Sequence, residues 1–283
     1  MDGDQGGLSG RFAARALIPG GFWLLVFFAA PFTLVILVSF GTPAELGGAL
    51  YGWYPENYSR VFDPLFLPVL ARSVGYALAT VALCLLLGYP VAYYIARFGG
   101  KRKQILIALV VLPFFVNYLI RTYAWVALLS DEGVINGLLG ESIRFVNTPW
   151  AVIVGLVYGY LAFMILPVYA ALDRMDPALI EAGKDLYGSE WRTFIHVTWP
   201  TTFQGVLAGS VLVFLPSVGD FVAAQLLGGP DTYMVGNLIQ QQFFGAEDWP
   251  FGGALTVVMM IFLLVFMVFY LRSAARDTRG SAI

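Results

Sequence analysis

Charge, cysteine and histidine are all scarce in this 283-residue chain, and each scarcity excludes something. Asp, Glu, Lys and Arg make up 12% of it, against 59% hydrophobic and 16% aromatic residues. No water-soluble domain can bury that much apolar surface, so the composition is that of an integral membrane protein. Cys84 is the only cysteine, which excludes an internal disulfide and a thiolate metal cluster. It lies in the apolar run Val81–Leu87 and reads as a small core residue. His196, also alone, reads as structural. There is no G-x-x-x-x-G-K-[ST] run, so nothing here binds ATP through a P-loop. No nucleophile–base pair and no metal-ligand spacing stands out. The chain is expected to be a non-catalytic subunit without cofactor, metal or nucleic-acid partner.

Long apolar stretches are what the chain has in abundance. Six are long enough to cross a bilayer: 18–40, 68–96, 104–129, 150–171, 202–227 and 251–271. The first is too long for a signal-peptide core and is read as a retained span. The expected division is an N-terminal segment 1–17, one transmembrane domain 18–271 with its core at about 68–271, and a tail 272–283. Of the sixteen Lys and Arg residues, twelve fall on the side of the amino terminus: Arg11, Arg15, Arg97, Lys101, Arg102, Lys103, Arg174, Lys184, Arg192, Arg272, Arg276 and Arg279. Only Arg60, Arg72, Arg121 and Arg144 remain for the other half. The positive-inside rule then puts both termini in the cytoplasm. Gly155/Gly159 and Gly205/Gly209 are small-residue pairs expected to serve close helix packing. Pro113, Pro167 and Pro216 fall within spans, where neighbouring helices can satisfy the freed carbonyls.

The polar loop 172–200 interrupts the apolar second half and faces the cytoplasm in this topology. Asp176-Pro177 is a helix start, a capping carboxylate followed by the residue best tolerated at the first helical position. Leu179, Ala182, Gly183 and Leu186 form one apolar face, with Glu181, Lys184 and Asp185 on the other side. Gly188 and Ser189 are expected to end that helix and cap a second one, whose apolar face is Trp191, Phe194 and Ile195. Pro200 then restarts the chain as a membrane helix. Such a helix–turn–helix suits docking by a soluble partner.

The run EAGKDLYGSEWRTFIHVTWP (Glu181–Pro200) resembles the signature loop of binding-protein-dependent ABC importer permeases. Glu181, Ala182, Val197 and Pro200 fall at the family's positions, whereas Gly183 stands where Ala is usual and Tyr187 where Gly is usual, with Gly188 one later. The resemblance implies a type I permease bundle of six transmembrane helices in the bacterial inner membrane. It also implies that Glu181, Ala182, Gly183, Asp185, Leu186, Gly188 and Pro200 belong to a coupling helix docked on an ATPase. Pro113–Asn136, Asn147–Ala182, Pro216–Gly229 and Asp248–Gly252 are similar to the polyamine branch, the permeases of spermidine/putrescine import systems. That likeness implies a sister permease, two ATPase subunits and a periplasmic solute-binding protein as partners, besides membrane lipid.

The outer loops carry Glu45, Glu56, Asp63, Asp131, Glu132, Glu141, Asp231, Glu247 and Asp248 against Arg60 and Arg144, a surplus that favours approach of a polycation or docking of a binding protein. Asp220 and Arg121 are ionisable residues within spans, where such groups normally face a partner or a water-filled path. Taken as straight helices, the third and fifth spans put them at similar depth, Arg121 roughly 25 Å from the cytoplasmic end. Three readings stay open: the two pair and brace the bundle, Asp220 with Phe221 lines a substrate path, or Asp220 serves only the helix break. Another small organic cation as cargo, an ion-coupled carrier using the break at Pro216, Gly219 and Asp220, and a membrane-embedded enzyme are the alternatives.

Overall fold

The structure, a computed structural model, describes residues 19–44, 47–139 and 143–280. The N-terminal segment with Arg11 and Arg15, and two of the outer acids, Glu45 and Glu141, lie outside the described residues. Packing divides the described chain into two units. One takes the residues up to Asp63 together with Gln241–Phe262, and the other takes Pro64–Gln240 together with those from Leu263 onward.

The larger unit is built on three long helices, α2 (Leu67–Phe98), α5 (Pro149–Arg174) and α7 (Glu190–Gly219). Helices in lipid gain little from apolar burial against one another, so they associate where small residues let backbones approach. That is what these sequences supply. A β-carbon on Gly205 would lie 2.5 Å from Ala171 Cβ and 2.8 Å from the Pro167 carbonyl oxygen, and one on Gly209 would meet Met164. On α2 the stripe Ala77, Thr80, Cys84 and Gly88 is buried. The Thr80 hydroxyl donates to the Tyr76 carbonyl within its own helix, and the Cys84 thiol to that of Val157, so neither buries an unpaired donor. Tyr89 meets Thr202 at 2.9 Å, a polar stitch between α2 and α7 in a core that includes Met164, Ile165, Val168, Leu172, Val206 and Val213.

Two spans depart from the single helices read from the sequence. Residues 104–129 are not one rod. Helix α3 (Lys103–Val111) runs into a 3₁₀ turn at Leu112–Phe115, the chain extends at Val116, and α4 (Tyr118–Leu129) starts afresh. The two halves meet at 91°. Pro113 has no N–H to continue the ladder, and the Asn117 side chain accepts from the Leu119 amide, so the chain reopens as a newly capped helix. The depth assigned to Arg121 on a straight helix therefore does not hold. The fifth span also differs. Helix α7 begins at Glu190, passes through a π-turn at Phe194–Thr198, and ends at Gly219, after which α8 (Val222–Leu227) is a separate short helix. Trp191, Phe194 and Ile195 thus open the span itself, and Pro200 lies within a continuous helix instead of restarting one.

The smaller unit contains α1 (Pro19–Ser39) and the first part of α9 (Trp249–Gly280). A two-residue antiparallel pairing, Thr42↔Leu50 and Pro43↔Ala49, closes the loop after α1. Asn57, 1% exposed, donates from its side-chain amide to the carbonyls of Ser39 and Gly41, each at 2.9 Å. Arg60 reaches Asp248 at 2.8 Å and lies over the Phe251 ring. Among the described residues of α1 only Ser39 is buried.

Candidate functional site

The candidate residues gather in two places, the hairpin that joins α5 to α7 and a polar cluster at the break after α7. The hairpin helix α6 (Pro177–Tyr187) starts as its sequence dictates: Asp176 accepts from the Ala178 amide at 2.9 Å and Pro177 takes the first turn. Gly188, with φ of 67°, ends it in the left-handed conformation, where a β-carbon is penalised. Ser189 then caps α7 by accepting from the Arg192 amide. Lys184 donates to Glu190 at 2.8 Å across the turn, and that neighbouring carboxylate raises the Lys184 ammonium above its ordinary range. His196 stacks on Tyr187 with its Nδ1 2.8 Å from the Arg192 carbonyl oxygen, a structural use.

The face assigned to Gly183 is corrected by this geometry. Gly183 is buried, and a β-carbon there would stand 2.9 Å from methyls of both Thr193 and Val197. It is the close-approach point of α6 on α7, not part of an outward surface. What α6 turns outward is Leu179, Ala182 and Leu186, the last 75% exposed, with Asp185 beside them. Glu181 is exposed and lines a cleft with Arg97, Lys103, Asp173 and Lys184. Lys103 pairs with Asp173 at 2.7 Å there, while Arg97 Nε and Nη2 are buried without an acceptor.

Asp220 sits at the break, 6% exposed, and is held by three donors. Tyr118 and Tyr160 hydroxyls both donate to its Oδ2, at 2.6 and 2.7 Å, and the Ala223 amide donates to Oδ1 at 2.9 Å. Asp220 thereby caps α8 and ties it to α4 and α5. Asp220 and Arg121 form no ion pair, which removes the bracing arrangement. Arg121, 9% exposed, instead lies among rings, its guanidinium carbon 5.3 Å from the Phe114 centroid, 5.6 Å from Tyr118 and 5.8 Å from Tyr158. Its Nε and Nη1 are buried with no acceptor. Phe221, 40% exposed, follows Asp220 on the open side. Tyr118 and Tyr160 are residues that the sequence reading missed. Gly159 carries the available signal, since a β-carbon there would come within 3.0 Å of the Tyr118 ring, so this glycine makes the seat for that tyrosine.

Comparison with known proteins gives the family and the fold. Residues 85–279 match the family described as "Binding-protein-dependent transport system inner membrane component". The Spermidine/putrescine transport system permease protein PotB of Escherichia coli (strain K12) is 39% identical over 254 residues, 86% of this chain and 92% of that protein. The protein of the same name from Haemophilus influenzae is 38% identical over 260 residues, covering 89% and 90%. Among solved structures, a bacterial alginate ABC transporter in complex with an alginate pentasaccharide-bound periplasmic protein superposes with a TM-score of 0.72. At 20% identity, and with 94% of this chain and 95% of that one covered, this establishes a shared fold.

Proposed function

Because the chain belongs to the family of binding-protein-dependent transport system inner membrane components, and so is a multi-pass inner membrane permease, we propose that its cargo is a polyamine of the spermidine/putrescine class. In this reading it forms half of the translocation path beside a sister permease. Two ATPase subunits on the cytoplasmic side hydrolyse ATP, and a periplasmic binding protein delivers the cargo. The observation that carries the substrate class is the 38–39% identity, over nearly the whole of both chains, to permeases named for spermidine and putrescine.

The hairpin supports the ATPase part. Leu179, Ala182 and Leu186 make an exposed apolar stripe on one rigidly capped helix, the form in which a helix enters a groove. Gly183 sets the angle at which that helix leaves α7, Gly188 closes the turn, and Glu181 and Asp185 flank the stripe. In this reading both termini, like the hairpin, are cytoplasmic, as the basic-residue asymmetry predicts. The path is assigned to Asp220, Phe221 and Arg121, where a buried carboxylate stands among aromatic rings at a helix break.

The test is uptake by the complete transporter in proteoliposomes, supplied with its binding protein and internal ATP. Labelled putrescine or spermidine should enter only with ATP, and Asp220→Asn should leave assembly intact while lowering uptake. Import of a different organic cation in preference to polyamines would overturn the cargo assignment. Full uptake by Asp220→Asn would remove Asp220 from the path.

A further inference from the structure

The carboxylate of Asp220 is poorly placed to greet a cargo. It is almost fully buried and already accepts three hydrogen bonds, two of them on one oxygen. The phenols that hold it are in a different position. Tyr118 and Tyr160 are both partly exposed, and each spends its single proton on Asp220. A phenol oxygen that donates to a carboxylate keeps its lone pairs and becomes a better acceptor, because the hydrogen bond polarises it. The two rings lie 6.2 Å apart. Phe163 continues them on the Tyr160 side, and Phe114 packs edge-on against Phe163. The result is a short aromatic track with two electron-rich oxygens at one end.

Arg121 stands over the ring of the first of these phenols, its Nε and Nη1 buried without an acceptor. It adds a fixed positive charge next to the negative one on Asp220. Together the two leave the cluster without net charge. A station along a path must attract its cargo and also let it go.

We propose that Tyr118 and Tyr160, not Asp220 itself, receive the ammonium groups of a passing polyamine, and that Arg121 shortens their stay. This rests on the polyamine reading above. The ammonium N–H groups donate to the two phenol oxygens and the ring faces add cation–π attraction. Asp220 contributes through the tyrosines by making their oxygens more negative. Arg121 opposes by Coulomb repulsion from its place over the Tyr118 ring, so cargo binds weakly and leaves quickly.

The experiment uses the complete transporter in proteoliposomes, with putrescine and spermidine compared. Tyr118→Phe with Tyr160→Phe should assemble and lose maximal uptake by about tenfold, the worth of two modest polar contacts. The ratio of spermidine to putrescine uptake should also shift, by about threefold or more, because the two cargoes space their ammonium groups differently; a merely structural loss scales both alike. Arg121→Gln should keep more labelled spermidine on the transporter after the binding protein is washed away, and turn over more slowly. Unchanged uptake by the double tyrosine variant, or an equal loss for both cargoes, would overturn the receiving role. Spermidine retention by Arg121→Gln no greater than the parent's would overturn the release role. If Asp220→Asn lowers uptake while the tyrosine variant does not, this proposal fails alone; if Asp220→Asn transports normally, the path reading beneath it fails as well.

Discussion

A β-carbon on Gly183 would stand 2.9 Å from the Thr193 methyl, so the helix that carries the proposed docking stripe is pressed directly onto the helix that enters the membrane. Gly183 and Leu186 are three residues apart, one buried and the other exposed. Gly183→Ala must push Thr193 and Val197 aside, an overpacking that costs about 1–3 kcal/mol. It should lower the thermal midpoint of the purified protein, with ATPase association lost only as a consequence. Leu186→Asp, on a side chain exposed to solvent, should leave that midpoint in place and abolish association. Co-purification with the ATPase, read beside thermal unfolding, separates the two. Equal behaviour of the two variants would end the division of roles.

Gly205 is a stricter case. Its absent side chain leaves room for Ala171 Cβ and for the backbone of Pro167, and backbone cannot rotate away. Gly205→Leu should prevent the α5–α7 core from forming, and membrane yield assayed by size exclusion in detergent should collapse. Gly20→Leu, where a β-carbon meets nothing within 4 Å in the chain, should keep the parent's yield.

In the smaller unit, Asn57 ties the end of α1 to the loop that follows, beside the Ser39–Tyr58 hydroxyl contact. Asn57→Ala strands the Ser39 and Gly41 carbonyls from the donor that bridges them, a cost of about 1–3 kcal/mol. Faster proteolytic nicking of loop 40–56, with no change in the core helices, is the expected sign. Cleavage at the parent's rate would show that the bridge is not what closes this loop.

The proposed orientation can be read by labelling. Cys84 is buried, so an impermeant thiol reagent has little background to report. Cysteines placed at Asp4 and Ser281 should resist that reagent in intact cells and react after lysis. Reaction of either before lysis would invert the topology and separate the hairpin from any cytoplasmic ATPase.

How much of this could be read from the residues follows from which forces act locally. Asp176, Pro177, Gly188 and Ser189 act on backbone within four residues of themselves, and both ends of the hairpin helix were legible from them. Apolar length likewise marked where chain crosses the bilayer. The 91° break was not legible, because window hydropathy sums side chains and is indifferent to direction. Its local signal is Asn117, which competes with the helix ladder through one hydrogen bond. The facing of Gly183 was misread for another reason: periodicity tells which residues share a side, and a glycine shares a side equally well with a partner protein or with its own next helix. Tyr118 and Tyr160 are 42 residues apart on different helices, and only the packed structure brings both onto one oxygen of Asp220.

The continuity of α7 has a mechanical consequence. Its 30 residues, about 45 Å of helix, connect the Ser189 cap beside the docking stripe to the break that holds Asp220. If a partner docked on the hairpin tilted this helix as one body, the helix would act as a lever arm. A swing of about 5° at the hairpin end carries the far tip through about 4 Å, enough to draw Asp220 off one tyrosine without breaking a turn of helix.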